Sequence, residues 1–112
     1  MNDPHTTAKE IWATGSTVGA TTLFEKIIEA SKYRCGANAV SENALNVDSI
    51  TIKWIDGAIL EINRTDSSFW IRLAQSAQSE PPNLNKSLES FYQEIVEPLK
   101  DKTGGVAAGL SW

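Results

Sequence analysis

The chain has 112 residues, an apolar fraction of 41% and 10 basic against 14 acidic side chains, for a net charge of −4. That length and apolar content suit one domain with a single modest core, burying roughly 65% of its unfolded surface. The acidic balance argues against a general nucleic-acid binder, which needs a basic footprint to displace counterions, and offers nothing to an anionic membrane surface.

Residues 1–20 are polar, small and rich in Gly and Thr, with only Ile11, Trp12 and Val18 as apolar anchors. They read as an arm, with Ile11-Trp12 docked on the body and a fourth edge strand over 10–19 as an option. Thr22-Leu-Phe-Glu25 has capping-box spacing, in which the Thr hydroxyl and the Glu carboxylate each satisfy an orphan N–H. A helix over 22–34 follows, with Leu23, Phe24, Ile27, Ile28 and Ala30 as its apolar stripe and Gly36 as its stop. Residues 36–46 show no period and read as a loop.

Three short strands come next, near Ser49–Ile55, Ala58–Arg64 and Ser68–Ala74. The first turn permits a sharper deduction. A two-residue Asp56-Gly57 loop would set Ile52 opposite Glu61 and Ile50 opposite Asn63, crossing apolar with polar. A three-residue loop, Ile55-Asp56-Gly57, pairs Trp54 with Ala58, Ile52 with Leu60 and Ile50 with Ile62. It also puts Gly57 at the positive φ that a G1-bulge turn requires. Because a one-residue slip flips every side chain, the core demands this bulged register.

Gln75–Asn85, with Glu80-Pro81-Pro82 in its middle, is too polar and proline-rich for regular structure. A second helix spans 86–97, where Leu88, Phe91, Tyr92, Ile95, Val96 and Leu99 make the cleanest stripe in the chain. Pro98 removes a helix hydrogen bond and should stop or kink the helix there. Residues 102–112 read as a flexible Gly-rich tail. The expected architecture is therefore α+β. A three-stranded antiparallel meander carries both helices on one face, with the domain proper spanning 21–101. Its core should comprise Phe24, Ile27, Ile28, Ile50, Ile52, Trp54, Leu60, Ile62, Phe69, Ile71, Leu73, Phe91, Ile95 and Val96.

The hairpin Ile52–Arg64, IKWIDGAILEINR, resembles the central strands of frataxin-like proteins, which also carry a turn Gly and an Asn-Arg at the strand end. The acidic ridge of that family's first helix is missing from 22–34, so its iron role is not carried over. Cys35 is the lone cysteine and His5 the lone histidine. No internal disulfide is possible, and a protein-only zinc site would lack its usual ligands. Lys32 and Arg34 lie near Cys35, but it ends a helix, where the dipole opposes a thiolate, and no base follows it. Gly15–Gly19 precedes a helix as an anion cradle would, yet lacks the Lys that a phosphate clamp requires. Glu25 with Glu29, and Glu94 with Glu97, share helix faces and read as solvated surface. No cofactor or metal is expected. The first 22 residues hold no apolar h-region, and nothing approaches a membrane span, so the cytoplasm is the expected compartment.

On strand three, Trp70 and Arg72 fall on the face away from the core, with Ile59 as their apolar neighbour. Trp and Arg are favoured interface anchors, so this face is the leading recognition patch. The alternative is that the arm, through Trp12, or the tail covers it. The tail supports three readings. Helix, then Gly104-Gly105, then Val106–Trp112 resembles the leader–GlyGly–core layout of peptide natural-product and bacteriocin precursors, with cleavage after Gly105. A carboxy-terminal recognition peptide would instead insert Leu110 and Trp112 into a partner's pocket. Simple disorder is the third. The expected function is a small non-enzymatic module that binds another protein as adaptor, inhibitor or chaperone. The precursor peptide is the alternative.

Overall fold

A computed structural model describes residues 9–43, 46–75 and 86–111, with the backbone alone at 42, 43 and 46–48. In chain order the elements are β1 (Glu10–Gly15), α1 (Thr17–Cys35), a 3-10 turn (Ala37–Ala39), β2 (Val40–Asn43), β3 (Asn46–Lys53), β4 (Ile59–Arg64) and β5 (Ser68–Gln75). A second helix follows in three pieces: α2 (Lys86–Phe91), a π-helical turn (Tyr92–Val96) and α3 (Glu97–Lys100). The last element is β6 (Val106–Ser111). The strands form one six-stranded antiparallel sheet in the order β2-β3-β4-β5-β1-β6. The α+β class holds, but the three-stranded meander is only the centre of the sheet. Residues assigned to a loop supply β2, and those assigned to the arm and tail supply β1 and β6.

The bulged turn forms as deduced. Trp54 N–H donates to Ala58 C=O at 2.8 Å, Gly57 N–H donates to Trp54 C=O at 2.9 Å, and Gly57 has φ of +94°. Ile52 faces Leu60 and Ile50 faces Ile62, so every core side chain of the hairpin lies on one face. Asp56 fixes the turn by accepting from Ala58 N–H at 2.9 Å. Its other carboxylate oxygen accepts from the buried Ser87 hydroxyl, which ties the turn to the start of α2.

Both helices pack on the face that carries Ile11, Ala13, Ile50, Ile52, Leu60, Ile62, Phe69, Ile71 and Ala108, and with them form a single core. Edge-to-face ring pairs join the layers: Phe24 with Phe69 at 5.7 Å and Trp54 with Phe91 at 5.1 Å between centroids. Of the expected core, Ile28 and Leu73 are only partly buried at its margin. Ile11, Ala13 and Ala20 join it from the segment read as arm, and Ala108 from the segment read as tail.

Helix α1 begins five residues before the expected start. Ser16 is its cap, with extended backbone and a side chain that accepts from Gly19 N–H at 2.9 Å. One short-side-chain oxygen thus satisfies an orphan donor, and the Thr22–Glu25 box lies inside the helix instead. The second helix does not stop at Glu97 either. Glu97 N–H bonds Tyr92 C=O, one residue further back than in an α-helix, and this widened turn carries the chain past Pro98 to Lys100. Proline lacks the N–H that an unbroken α register would need there. Among the described residues no helix is long and apolar enough to cross a membrane.

Candidate functional site: the open face of the sheet

Among the described residues both helices sit on the first face of the sheet, and alternation along the strands leaves the second without a helix. Register then dictates which side chains meet on it. Gly109, Trp12, Trp70 and Asn63 form one cross-strand row, from β6 through β1 and β5 to β4. The next row holds Ser111, Glu10, Arg72, Glu61 and Thr51. Directly opposed side chains lie within roughly 5.5 Å of one another at Cβ, so Trp12 and Trp70 are immediate neighbours.

Trp12 neither covers Trp70 from outside nor docks as an arm. It stands beside Trp70 on the same face, 37% exposed, while Trp70 is half-buried in the middle of its row. Gly109 explains the orientation of Trp12. A Cβ at position 109 would stand 2.8 Å from Trp12 Cζ2 and 3.1 Å from Cε2, so the indole lies over the glycine backbone. An aromatic ring shielding a glycine on the neighbouring edge strand is a known device for supporting such strands.

Arg72 is exposed and its Nε donates to Glu10 Oε1 at 2.8 Å, with Glu61 as its register partner on the other side. One carboxylate thus pairs with the guanidinium and a second stands opposite Arg72 in register, so the row carries more negative than positive charge. Glu61 also accepts from Asn63 Nδ2 at 3.3 Å. Ile59 lies on this face two residues from Glu61, the partner of Arg72, but away from Trp70. A bulge between Ile59 and Leu60 places Ile59 opposite Gln75 and Lys53. From Asn63, the register partner of Trp70, that is four residues along β4, or roughly 13 Å at strand rise. The apolar neighbour of Trp70 is Trp12, which the sequence placed in the arm.

Gly104 and Gly105 occupy the turn that enters β6. Gly105 has φ of +76°, and its carbonyl accepts from Ser16 N–H at 2.8 Å. The turn lies against the start of α1: a Cβ on Gly15 would stand 2.1 Å from Gly105 O, and one on Gly19 2.6 Å from the same atom and 2.7 Å from Gly104 O. Two glycine clusters some ninety positions apart are therefore one contact. The carbonyl oxygens point at the positive end of α1, the place where the anion-cradle reading would have put a phosphate. A protease acting after Gly105 would meet a tight turn, and its cut would release a strand from the sheet. Trp112 lies outside the described residues.

The remaining candidates stand apart from this face. Cys35 is half-buried at the end of α1, and burial pushes its thiol above the ordinary 9.0 against a smaller opposing pull from Arg34. Glu94 accepts from Arg34 at 3.2 Å and from the Ser90 hydroxyl at 3.0 Å, an exposed ion pair rather than half of a carboxylate pair with Glu97. Glu25 and Glu29 border a shallow groove between α1 and α3, interleaved there with Lys26 and Lys32. Among the described residues no three His, Cys, Asp or Glu side chains gather as metal ligands do.

The sequence missed Trp12 and Gly109 as members of the site. The signal for Trp12 was present in Glu10-Ile-Trp-Ala-Thr14, an in–out alternation too short to stand out. Gly109 carried no signal. Compared with family models, with curated proteins and with solved structures, the chain matches none.

Proposed function

We propose that this chain is a small non-enzymatic module that binds another protein through the open face of its sheet. The observation that carries the reading is the Trp12–Trp70 pair, two large amphipathic rings adjacent in register on a face that the helices leave uncovered. Indole rings bury much area at little conformational cost, and a rigid sheet holds this pair in place, as suits an interface anchor. Arg72 contributes at the rim, where it pairs with Glu10. The net charge of −4 speaks for a protein rather than a nucleic acid as partner. A lone cysteine suits a reducing compartment, and we place the module in the cytoplasm on that ground.

The test is site-specific photo-crosslinking in the native host. A photoreactive residue in place of Trp70 should join one discrete protein, and the same residue at the exposed position of Val18 on α1 should not. Removing Trp12 by Trp12→Ala should weaken that cross-link. Equal cross-linking from both positions, or none from position 70 in folded protein, would overturn the reading.

A further inference from the structure

The two edges of the sheet differ in how they are protected. Strand β2 is four residues long, carries Glu42 and has a register break between Glu42 and Asn43. Short length, charge and irregularity are the usual means of keeping an edge from recruiting another strand. Strand β6 has none of them in its own sequence, and the charge at its edge comes from α3, whose Lys100 Nζ donates to Ala108 C=O. The strand runs six residues, Val-Ala-Ala-Gly-Leu-Ser, without a charge, a proline or a recorded register break, and β1 is its only strand neighbour among the described residues.

Which groups of β6 face outward follows from the ladder. Ser16 N–H bonds Gly105 C=O, in register with the β1–β6 pairing, so residues 105, 107, 109 and 111 direct their N–H and C=O groups towards β1. Val106, Ala108 and Leu110 direct theirs away. One observation corroborates the parity independently: Ala108 C=O accepts from Lys100 Nζ at 3.2 Å, from beyond the edge. Lys100 is held there by the Tyr92 hydroxyl at 2.9 Å, and the ammonium lies 5.5 Å from the Tyr92 ring centroid. The centre of this edge is therefore marked by a positive charge on the helix side of the sheet.

That charge selects the occupant. A second copy pairing β6 with β6 in the antiparallel register that uses all three outward residues would place Ala108 opposite its own counterpart, bringing two Lys100 ammonium groups to the same two-fold axis. Like charges so placed disfavour self-pairing. A strand with a carboxylate opposite Ala108 would meet the ammonium on the same face instead. Side chains opposite Val106 and Leu110 would extend the apolar row that these half-buried residues begin. We propose that β6 is a strand-addition site for an extended segment of a partner protein with the pattern apolar-x-acidic-x-apolar, the acidic residue opposite Ala108 and beside Lys100. Main-chain hydrogen bonds to the outward groups of Val106 and Leu110 and to Ala108 N–H supply the attachment, while Ala108 C=O stays with Lys100 and the Tyr92 hydroxyl, and Lys100 supplies the choice of side chain. The site uses the edge and stands without the aromatic face.

The experiment uses the full chain and a fluorescein-labelled heptapeptide of alternating threonine and valine with a central glutamate, read by fluorescence anisotropy. The control peptide carries a central lysine. The glutamate peptide should bind at least tenfold more tightly than the lysine peptide. Lys100→Gln, which keeps a donor for Ala108 C=O, should bring that ratio close to one. Leu110→Pro removes an outward N–H without touching the ladder to β1, and should abolish binding of both peptides with the circular dichroism spectrum unchanged. If Leu110→Pro disturbs the fold, Lys100→Gln alone decides. Equal binding of the two peptides, no binding to the folded wild-type chain, or a ratio unmoved in Lys100→Gln would overturn the proposal. So would a dimer of the free chain that Leu110→Pro dissolves. Failure of the Trp70 cross-link would leave these results untouched, so the two readings fall separately.

Discussion

Strands β3, β4 and β5 present Ile50, Ile52, Leu60, Ile62, Phe69 and Ile71 to the core, whereas β6 presents Val106, Ala108 and Leu110 and β1 presents Ile11 and Ala13. The central strands are joined by short turns and held by large side chains that point to the core at every second position. The terminal strands come from opposite ends of the chain and are held by closeness of backbone. Gly15 and Gly19 accept the Gly104-Gly105 turn, Ser16 bonds it, Trp12 lies over Gly109, and Lys100 caps Ala108. The difference teaches that one sheet can be specified by two kinds of chemistry. Apolar volume fixes the middle, and the absence of side chains lets the ends meet.

The sharpest way to break this comparison is to add a single methyl group at the glycine contact. Gly15→Ala would drive a Cβ to within 2.1 Å of Gly105 O, backbone that cannot swing aside. We expect a loss of about 3 kcal/mol in urea unfolding, the range for overpacking a close-fitting site. In the central region the matching substitution is milder. Gly57→Ala meets no atom within 4 Å, so only its φ of +94° matters, and the loss should be roughly 1–2 kcal/mol. Equal losses at the two positions would erase the distinction between packing and conformation.

Gly109→Ala should cost less than about 1 kcal/mol, because the atoms it meets are the rim of one partly exposed indole. It should shift the Trp12 Nε1–H resonance all the same, and an unmoved resonance would show that the ring does not lie on Gly109. Glu10→Gln, at the exposed pair with Arg72, should lower stability by under about 1 kcal/mol, with the effect fading as salt is added. The smallest effect concerns Cys35. Its thiol is raised above 9.0 chiefly by burial, so less thiolate is present near neutral pH than for a free cysteine, and the fraction grows as pH rises towards the shifted value. Iodoacetamide should alkylate it more slowly at pH 7.5 than it alkylates a model peptide thiol. An equal rate would contradict the burial.

The same two chemistries explain what could be read from the sequence. The bulged turn, its register and the central core followed from Ile50, Ile52, Trp54, Leu60 and Ile62, because misalignment would have buried Glu61 and Asn63. The face bearing Trp70 and Arg72 followed from the same alternation. Strand β6 was illegible because Ala107, Ala108 and Gly109 differ too little in hydropathy to show a period. The start of α1 was hidden by a second plausible cap: Thr22-x-x-Glu25 fits the capping pattern better than Ser16, which has Gly19 rather than Glu or Gln three residues on. The role of Gly104-Gly105 depends on Gly15 and Gly19, and no local reading joins residues that far apart. Trp12 entered the site for the same reason, through a strand pairing that only the assembled sheet reveals.

The most direct test of the account is amide hydrogen exchange along β6, measured by NMR on the full chain. The ladder to β1 should protect the N–H groups of Ala107 and Gly109 to an extent approaching that of β4, while those of Ala108 and Leu110, which face away from β1, exchange far faster. Uniform exchange of residues 106–111 at the rate of an unfolded peptide would show a free tail, and with it both the six-stranded sheet and the strand-addition site would fail.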